Sequence, residues 1–286
     1  MVDFKKLSDR IRDNSALSGR THAISSLAVY LLIMALATEW VYKMLDSRSI
    51  FIVLASIFIV AGSSKMPDLD NTRSSAMSAL GPIGQGLSIV FRSLSNMIYA
   101  LTKTKYDKDT SNPHRGFFHT LVSSVMWFFL VLGTASIKTK FTMGETVYTV
   151  GEMFAVLWLF LTTQVALAGI FSKRFKKNKD KGLIGGIINI MISLVVSIVL
   201  LRLGRTETAS YQWVAFSFAI GYLLHIMGDT LTKAGAPILF PLRIRGKRWY
   251  DIRFMKIESG GEFEKIILVP FFCLLAAASI IKIVVF

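Results

Sequence analysis

The chain has only four histidines, His22, His114, His119 and His225, and three of them recur in short motifs rich in groups that ligate metals or carry charge. One motif is Asn112-Pro-His-Arg-Gly-Phe-Phe-His119, and a second is Gly221-Tyr-Leu-Leu-His-Ile-Met-Gly-Asp-Thr230. A third, Lys65-Met-Pro-Asp-Leu-Asp-Asn71, has two aspartates and no histidine. Together they offer His22, Asp68, Asp70, His114, His119, His225 and Asp229 as metal ligands. A mixed imidazole and carboxylate set suits a divalent transition metal, zinc first and manganese or iron next, and not the all-oxygen shell of calcium. Seven candidates exceed the three or four protein ligands of one catalytic zinc. Either two ions share bridging carboxylates, or some of the seven orient the ligands and take up protons. An ion there would gather these anions and activate water near neutral pH. Arg115 would repel a cation, so it is expected as the catalytic group that holds an anionic substrate oxygen, most naturally of a phosphate.

Each motif also has a plainer reading. Asp68 and Asp70 follow a proline and suit a polar turn. His114 and His119 suit a membrane interface as ordinary polar residues. His225 and Asp229 are one helical turn apart, a spacing that chelates an ion or makes a carboxylate–imidazole hydrogen bond. Within or beside hydrocarbon both are costly without a partner.

The elements that must position these residues are apolar helices. Of the 286 residues 53% are hydrophobic, mean hydropathy is +0.53 and only 18% are charged. That composition, with apolar runs of about 18 to 23 residues, predicts one all-α polytopic transmembrane bundle. Six or seven spans are expected, near Ala23–Met44, Ser49–Ser64, Gly116–Ile137, Val150–Phe171, Leu183–Leu203, Tyr211–Met227 and Ile266–Val285. Asn112 is a suitable N-cap and Pro113 suits a first turn, so the third helix is expected to open there, with Arg115 and His119 on one face.

Charge sets the orientation. The segment Ser172-Lys-Arg-Phe-Lys-Lys-Asn-Lys-Asp-Lys181 is densely basic and is expected in the cytoplasm. With it fixed there, the segments assigned to that side hold 25 of the 33 Lys and Arg residues. The N-terminus then lies inside and the C-terminus outside. All four histidines and the three aspartates fall at cytoplasmic helix ends, although the histidines played no part in choosing the orientation.

Between the second and third spans, Ile83 to Thr102 has apolar residues at helical spacing opposite Gln85, Ser88, Arg92, Ser95 and Asn96. This predicts an amphipathic helix lying in the interface, with a re-entrant hairpin as the alternative. Residues 1–22 read as a cytoplasmic amphipathic N-terminus without a cleavable signal, and 23–286 as a single membrane domain. The net charge of +15 is better explained by basic loops touching an anionic leaflet than by nucleic acid. Cys273, the sole cysteine, lies in an apolar run and predicts neither a disulfide within the chain nor thiolate ligation.

The order of these motifs resembles the YdjM/YbcI family of bacterial inner-membrane proteins, described as metal-dependent hydrolases. The likeness rests on a His before the first span, Pro-Asp-Leu-Asp after the second, His-Arg-Gly-x-x-His and Gly-Tyr-x-x-His-x-x-x-Asp, and continues through Thr232, Gly235, Pro237 and Pro241. It covers roughly residues 20–245, with the basic stretch 172–181 and the long linker 71–112 as departures. It implies location in the inner membrane and a hydrolase class, and no substrate.

The expected function is therefore a metal-dependent hydrolase at the cytoplasmic leaflet, acting on a phosphoester of a lipid or lipid-linked substrate. Arg243-Ile-Arg-Gly-Lys-Arg248 could recruit anionic headgroups, although an ordinary basic loop explains it as well. A transporter or metal-handling protein is the competing class, but the midplane is poor in ionisable groups, and Gln164, the main deep polar side chain, reads as an interhelical hydrogen bond rather than a pathway. A non-catalytic scaffold with a structural metal is the third.

Overall fold

A computed structural model describes residues 19–71, 74–107, 116–175, 179–204, 210–258 and 261–285. The fold is an all-α bundle with one short hairpin. Its first helix, α1 (Gly19–Leu36), turns through 108° into α2 (Thr38–Leu45). The break is at Ala37, which leaves helical geometry (φ −131, ψ 45). Beyond it α2 buries Val41 and Leu45 and leaves Glu39 to pair with Arg48 at 2.8 Å on the surface. The expected first span is thus a bent pair, and His22 lies inside α1 instead of ahead of it.

Next come α3 (Ile50–Ser63), a 3-10 turn at Pro67–Asp70, α4 (Ser75–Ala79) and α5 (Gly81–Thr102). The long α5 is one continuous helix, which removes the re-entrant alternative. Its apolar residues divide: Leu87, Leu94 and Ile98 pack inward, whereas Ile83, Val90, Met97 and Leu101 are exposed. Ser88 and Ser95 are buried.

A second 3-10 turn, Phe117–His119, leads into α6 (Leu121–Ala135). Here the structure corrects the expected helix start. Thr120 is the N-cap, its side chain accepting from the Ser123 amide at 3.2 Å, so His119 stands ahead of the α-helix. Asn112, Pro113, His114 and Arg115 lie outside the described residues. An unexpected antiparallel hairpin follows, β1 (Lys140–Met143) against β2 (Thr146–Thr149), turning at Gly144. The rest is α7 (Val150–Phe175), α8 (Lys179–Gly204), α9 (Trp213–Thr230), an irregular segment, a π-turn at Glu264–Leu268, and α10 (Val269–Val285).

Four stretches are long and apolar enough to cross a bilayer: Ile50–Asp70, Val150–Ala168, Ile184–Gly204 and Glu264–Ile283. The bent pair makes five. The count falls below six or seven because α6 is apolar but has only 15 residues, while α9 carries His225 and Asp229 in its last turns.

Close helix approach sets the centre of the bundle. A Cβ at Gly62 would fall 2.0 Å from the Thr162 carbonyl oxygen of α7, and one at Gly221 would fall 2.4 Å from the Val60 carbonyl oxygen of α3. Small residues let backbones meet where hydrocarbon supplies no hydrophobic drive. Gln164 donates to the Ala79 carbonyl at 2.8 Å, so this deep polar group ties α7 to α4. The exposed Cys273 sits on peripheral α10.

Candidate metal centre

Four elements bring ligand-type side chains to one end of the bundle. α1 supplies His22 from its first turns, the 3-10 turn after α3 supplies Asp68, the turn before α6 supplies His119, and α9 supplies His225 and Asp229. The approach of α3 to α9 at Gly221, one turn before His225, carries the Pro67–Asp70 turn to the histidine.

Asp229 is the hub. Its Oδ2 lies 3.4 Å from Nε2 of both His119 and His225, and its Oδ1 lies 3.4 Å from Nε2 of His22. Asp68 Oδ1 lies 3.7 Å from Nε2 of both His119 and His225. The His22 and His225 rings stack with centroids 3.9 Å apart. Good N–H···O bonds span about 2.7–3.2 Å, and these separations are longer. Two ligands of a tetrahedral ion with bonds of about 2.0–2.1 Å lie roughly 3.3–3.4 Å apart, which is what the Asp229 contacts measure. Two overlapping triads, His22–His225–Asp229 and Asp68–His119–His225, each keep their ligand atoms within 4.8 Å of one another.

The surroundings fix these groups. His225 Nδ1 lies 2.7 Å from the Ser64 carbonyl oxygen, which can only accept, so Nδ1 carries a proton and Nε2 is the ring atom turned toward Asp68 and Asp229. Tyr222, one turn earlier on α9, donates to the Phe118 carbonyl at 2.6 Å and so holds the turn that bears His119. Ser95 of α5 accepts the Phe117 amide at 2.9 Å. His22 is anchored by its neighbour Thr21, which donates to the buried Glu264 ahead of α10. Thr232 is buried and donates to the Asp229 carbonyl, and Gly235 needs its φ of +74 to pass Ile252, so both serve the backbone just past the site.

His22, His119 and His225 are fully buried and Asp229 is 1% exposed. Asp68 has a side-chain exposure of 13% and is the open edge. Asp70 is buried on the same turn but is not part of either triad. His114 and Arg115 lie outside the described residues. Sequence reasoning passed over Lys65, which is 3% exposed, donates to the Val165 carbonyl at 3.2 Å and lies within electrostatic reach of Asp68 and Arg20. Its place one turn ahead of Asp68 was the available signal. It also missed Tyr222 and Glu264, whose partners are distant in the sequence.

Fold and site together define a polytopic α-helical membrane protein with a buried histidine–aspartate cluster at one end of its bundle. The YdjM inner membrane protein family model matches residues 17–285. The chain belongs to that family. No curated protein and no solved structure matches it.

Proposed function

We propose that the protein is a metal-dependent hydrolase of the inner membrane, acting at the cytoplasmic leaflet on a phosphoester of a lipid or lipid-linked substrate. The observation that carries this reading is the convergence of three imidazole nitrogens and two carboxylates at 3.4–3.7 Å. Burying such a set is expensive unless a cation joins it. Asp68, His119, His225 and Asp229 would hold the ion, with His22 on the second oxygen of Asp229.

The two triads among the described residues share His225, which favours a single ion there. A divalent ion bound there supplies an activated water and polarises a phosphoryl oxygen. His22, beside the second oxygen of Asp229, would accept the proton, and the exposed edge at Asp68 is where substrate would enter. Arg20 adds a cation near that end of the bundle, and Arg115 retains its proposed role on the anionic group.

One observation favours a structural metal instead: His22, His119, His225 and Asp229 are sealed from solvent. The deciding experiment is metal analysis of detergent-purified protein with His119→Ala and Asp229→Ala beside it, followed by phosphate release from a panel of lipid phosphates. Wild-type protein without a bound transition metal, prepared free of chelators, sinks the metal reading. Metal without turnover of any lipid phosphate leaves the structural role, and ion flux in proteoliposomes that both variants abolish makes the protein a transporter.

A further inference from the structure

At the C-terminal end of α5 the chain forms a cavity of about 350 Å³ whose lining includes Lys103, Lys105, Tyr106, Arg243 and Arg248, with no acidic group among the described residues that line it. Its walls are tied together across the sequence. Thr104 Oγ1 donates to the Gly246 carbonyl at 2.9 Å, Arg248 Nη1 to the Thr102 carbonyl at 3.2 Å, and Trp249 Nε1 to Thr102 Oγ1 at 3.1 Å. Asp107, the nearby carboxylate, accepts from the main-chain amides of Thr104, Arg248 and Trp249, which hold it against the scaffold. Lys105, Lys103 and Arg243 are exposed, and Lys105 sits over the Tyr106 ring.

The approach to this cavity is apolar. Ile83, Val90, Met97 and Leu101 share one face of α5 and are exposed, and Leu242 beside Arg243 is 61% exposed. That stripe needs hydrocarbon, and it stops at Thr102, one residue before the first lysine of the cavity. Apolar contact that gives way to a cluster of cations is the profile met at the depth of lipid phosphates.

We propose that this cavity is a binding site for the phosphate headgroup of an anionic phospholipid, with the acyl chains lying along the outer stripe of α5. The site is separate from the His/Asp centre and does not depend on what that centre does. The aromatic cluster of Phe117, Phe118, Phe240 and Trp249 joins the two regions, so a lipid held here would brace the turn that carries His119.

The test uses full-length protein in neutral detergent, with binding of dioctanoyl phosphatidylglycerol compared with dioctanoyl phosphatidylcholine and inorganic phosphate. Wild type is expected to prefer the anionic lipid by about tenfold or more. The K103Q/K105Q/R243Q variant should lose that preference, with helix content unchanged by circular dichroism. Asp229→Asn should keep it. Equal binding of the two lipids, or a preference that survives the triple substitution, overturns the proposal. Inorganic phosphate binding as tightly as the anionic lipid also overturns it, because the site would then serve a free phosphate compound.

Discussion

His225 Nδ1 and the Ser64 carbonyl oxygen are 2.7 Å apart, so a main-chain atom of the turn after α3 sets the tautomer of a histidine on α9. The ring can then offer only Nε2 to a cation. Protein purified without chelators is expected to hold about one divalent transition ion per chain, with nitrogen and oxygen neighbours at about 2.0–2.1 Å and no sulfur. His225→Ala should weaken retention by more than about tenfold. Elemental analysis with X-ray absorption at the metal edge reads both, and a sulfur neighbour would contradict the assignment.

The closeness of α3 to α9 gives a stability prediction. A Cβ at Gly221 would meet the Val60 carbonyl oxygen at 2.4 Å and Ser63 Oγ at 2.1 Å, and a backbone atom cannot swing aside as a side chain can. Gly221→Ala should lower stability by about 1–3 kcal/mol and also reduce metal retention, because the Asp68 turn moves away from His225. Gly86→Ala, on α5 with nothing within 4 Å of the added carbon, is the control. It should be neutral or stabilising by roughly 0.5–1 kcal/mol. Thermal inactivation in detergent compares the pair.

Tyr222 positions His119 without touching the converging atoms, through its bond to the Phe118 carbonyl. Tyr222→Phe removes the buried hydrogen bonds to Phe118 and to Ser123 Oγ and leaves that carbonyl without the Tyr222 donor, at a cost of about 1–3 kcal/mol. Zinc affinity is expected to fall about tenfold with the bundle intact. A competition titration against a chromophoric chelator reads the affinity, and unchanged affinity would show that the His119 turn is held by other contacts.

Much of the site was legible in the sequence because charge bias and apolar length are summed over many residues. Placing the basic segments on one side put His22, Asp68, His119, His225 and Asp229 at one end before any geometry was known, and the structure brings those five together there. Local breaks were not legible. The 108° bend at Ala37 has no proline or glycine to announce it, and Thr120 took the cap from Asn112 through a single hydroxyl. Asp70 shows a further limit. Asp68 and Asp70 differ by two places on a 3-10 turn, and only the tertiary setting of that turn decides which one meets the histidines. Lys65 was half-legible: its place one turn ahead of Asp68 was visible, but its burial and its bond to the Val165 carbonyl were not.

The last prediction concerns pH and the scaffold of the cationic cavity. Burial opposes ionisation of Asp107, but hydrogen bonds from Thr104, Trp249 and Arg248 outweigh it and hold the carboxyl below its ordinary value of 3.8. A carboxylate depressed in the folded state stabilises it at every pH above the unfolded value. That contribution is lost as pH falls through the folded value, so the link between residues 104–107 and 246–249 should persist at neutral and mildly acidic pH and release only below about 3.8. Asp107→Asn should release it at pH 7, because an amide oxygen accepts more weakly than a carboxylate and the amide group adds donors facing three main-chain N–H groups. Limited trypsinolysis at Lys105 and Arg248 measures the release, with faster cleavage expected in the variant at pH 7. Equal cleavage of the variant and wild type would show that Thr104, Thr102 and the Trp249 ring hold the cavity without the carboxylate.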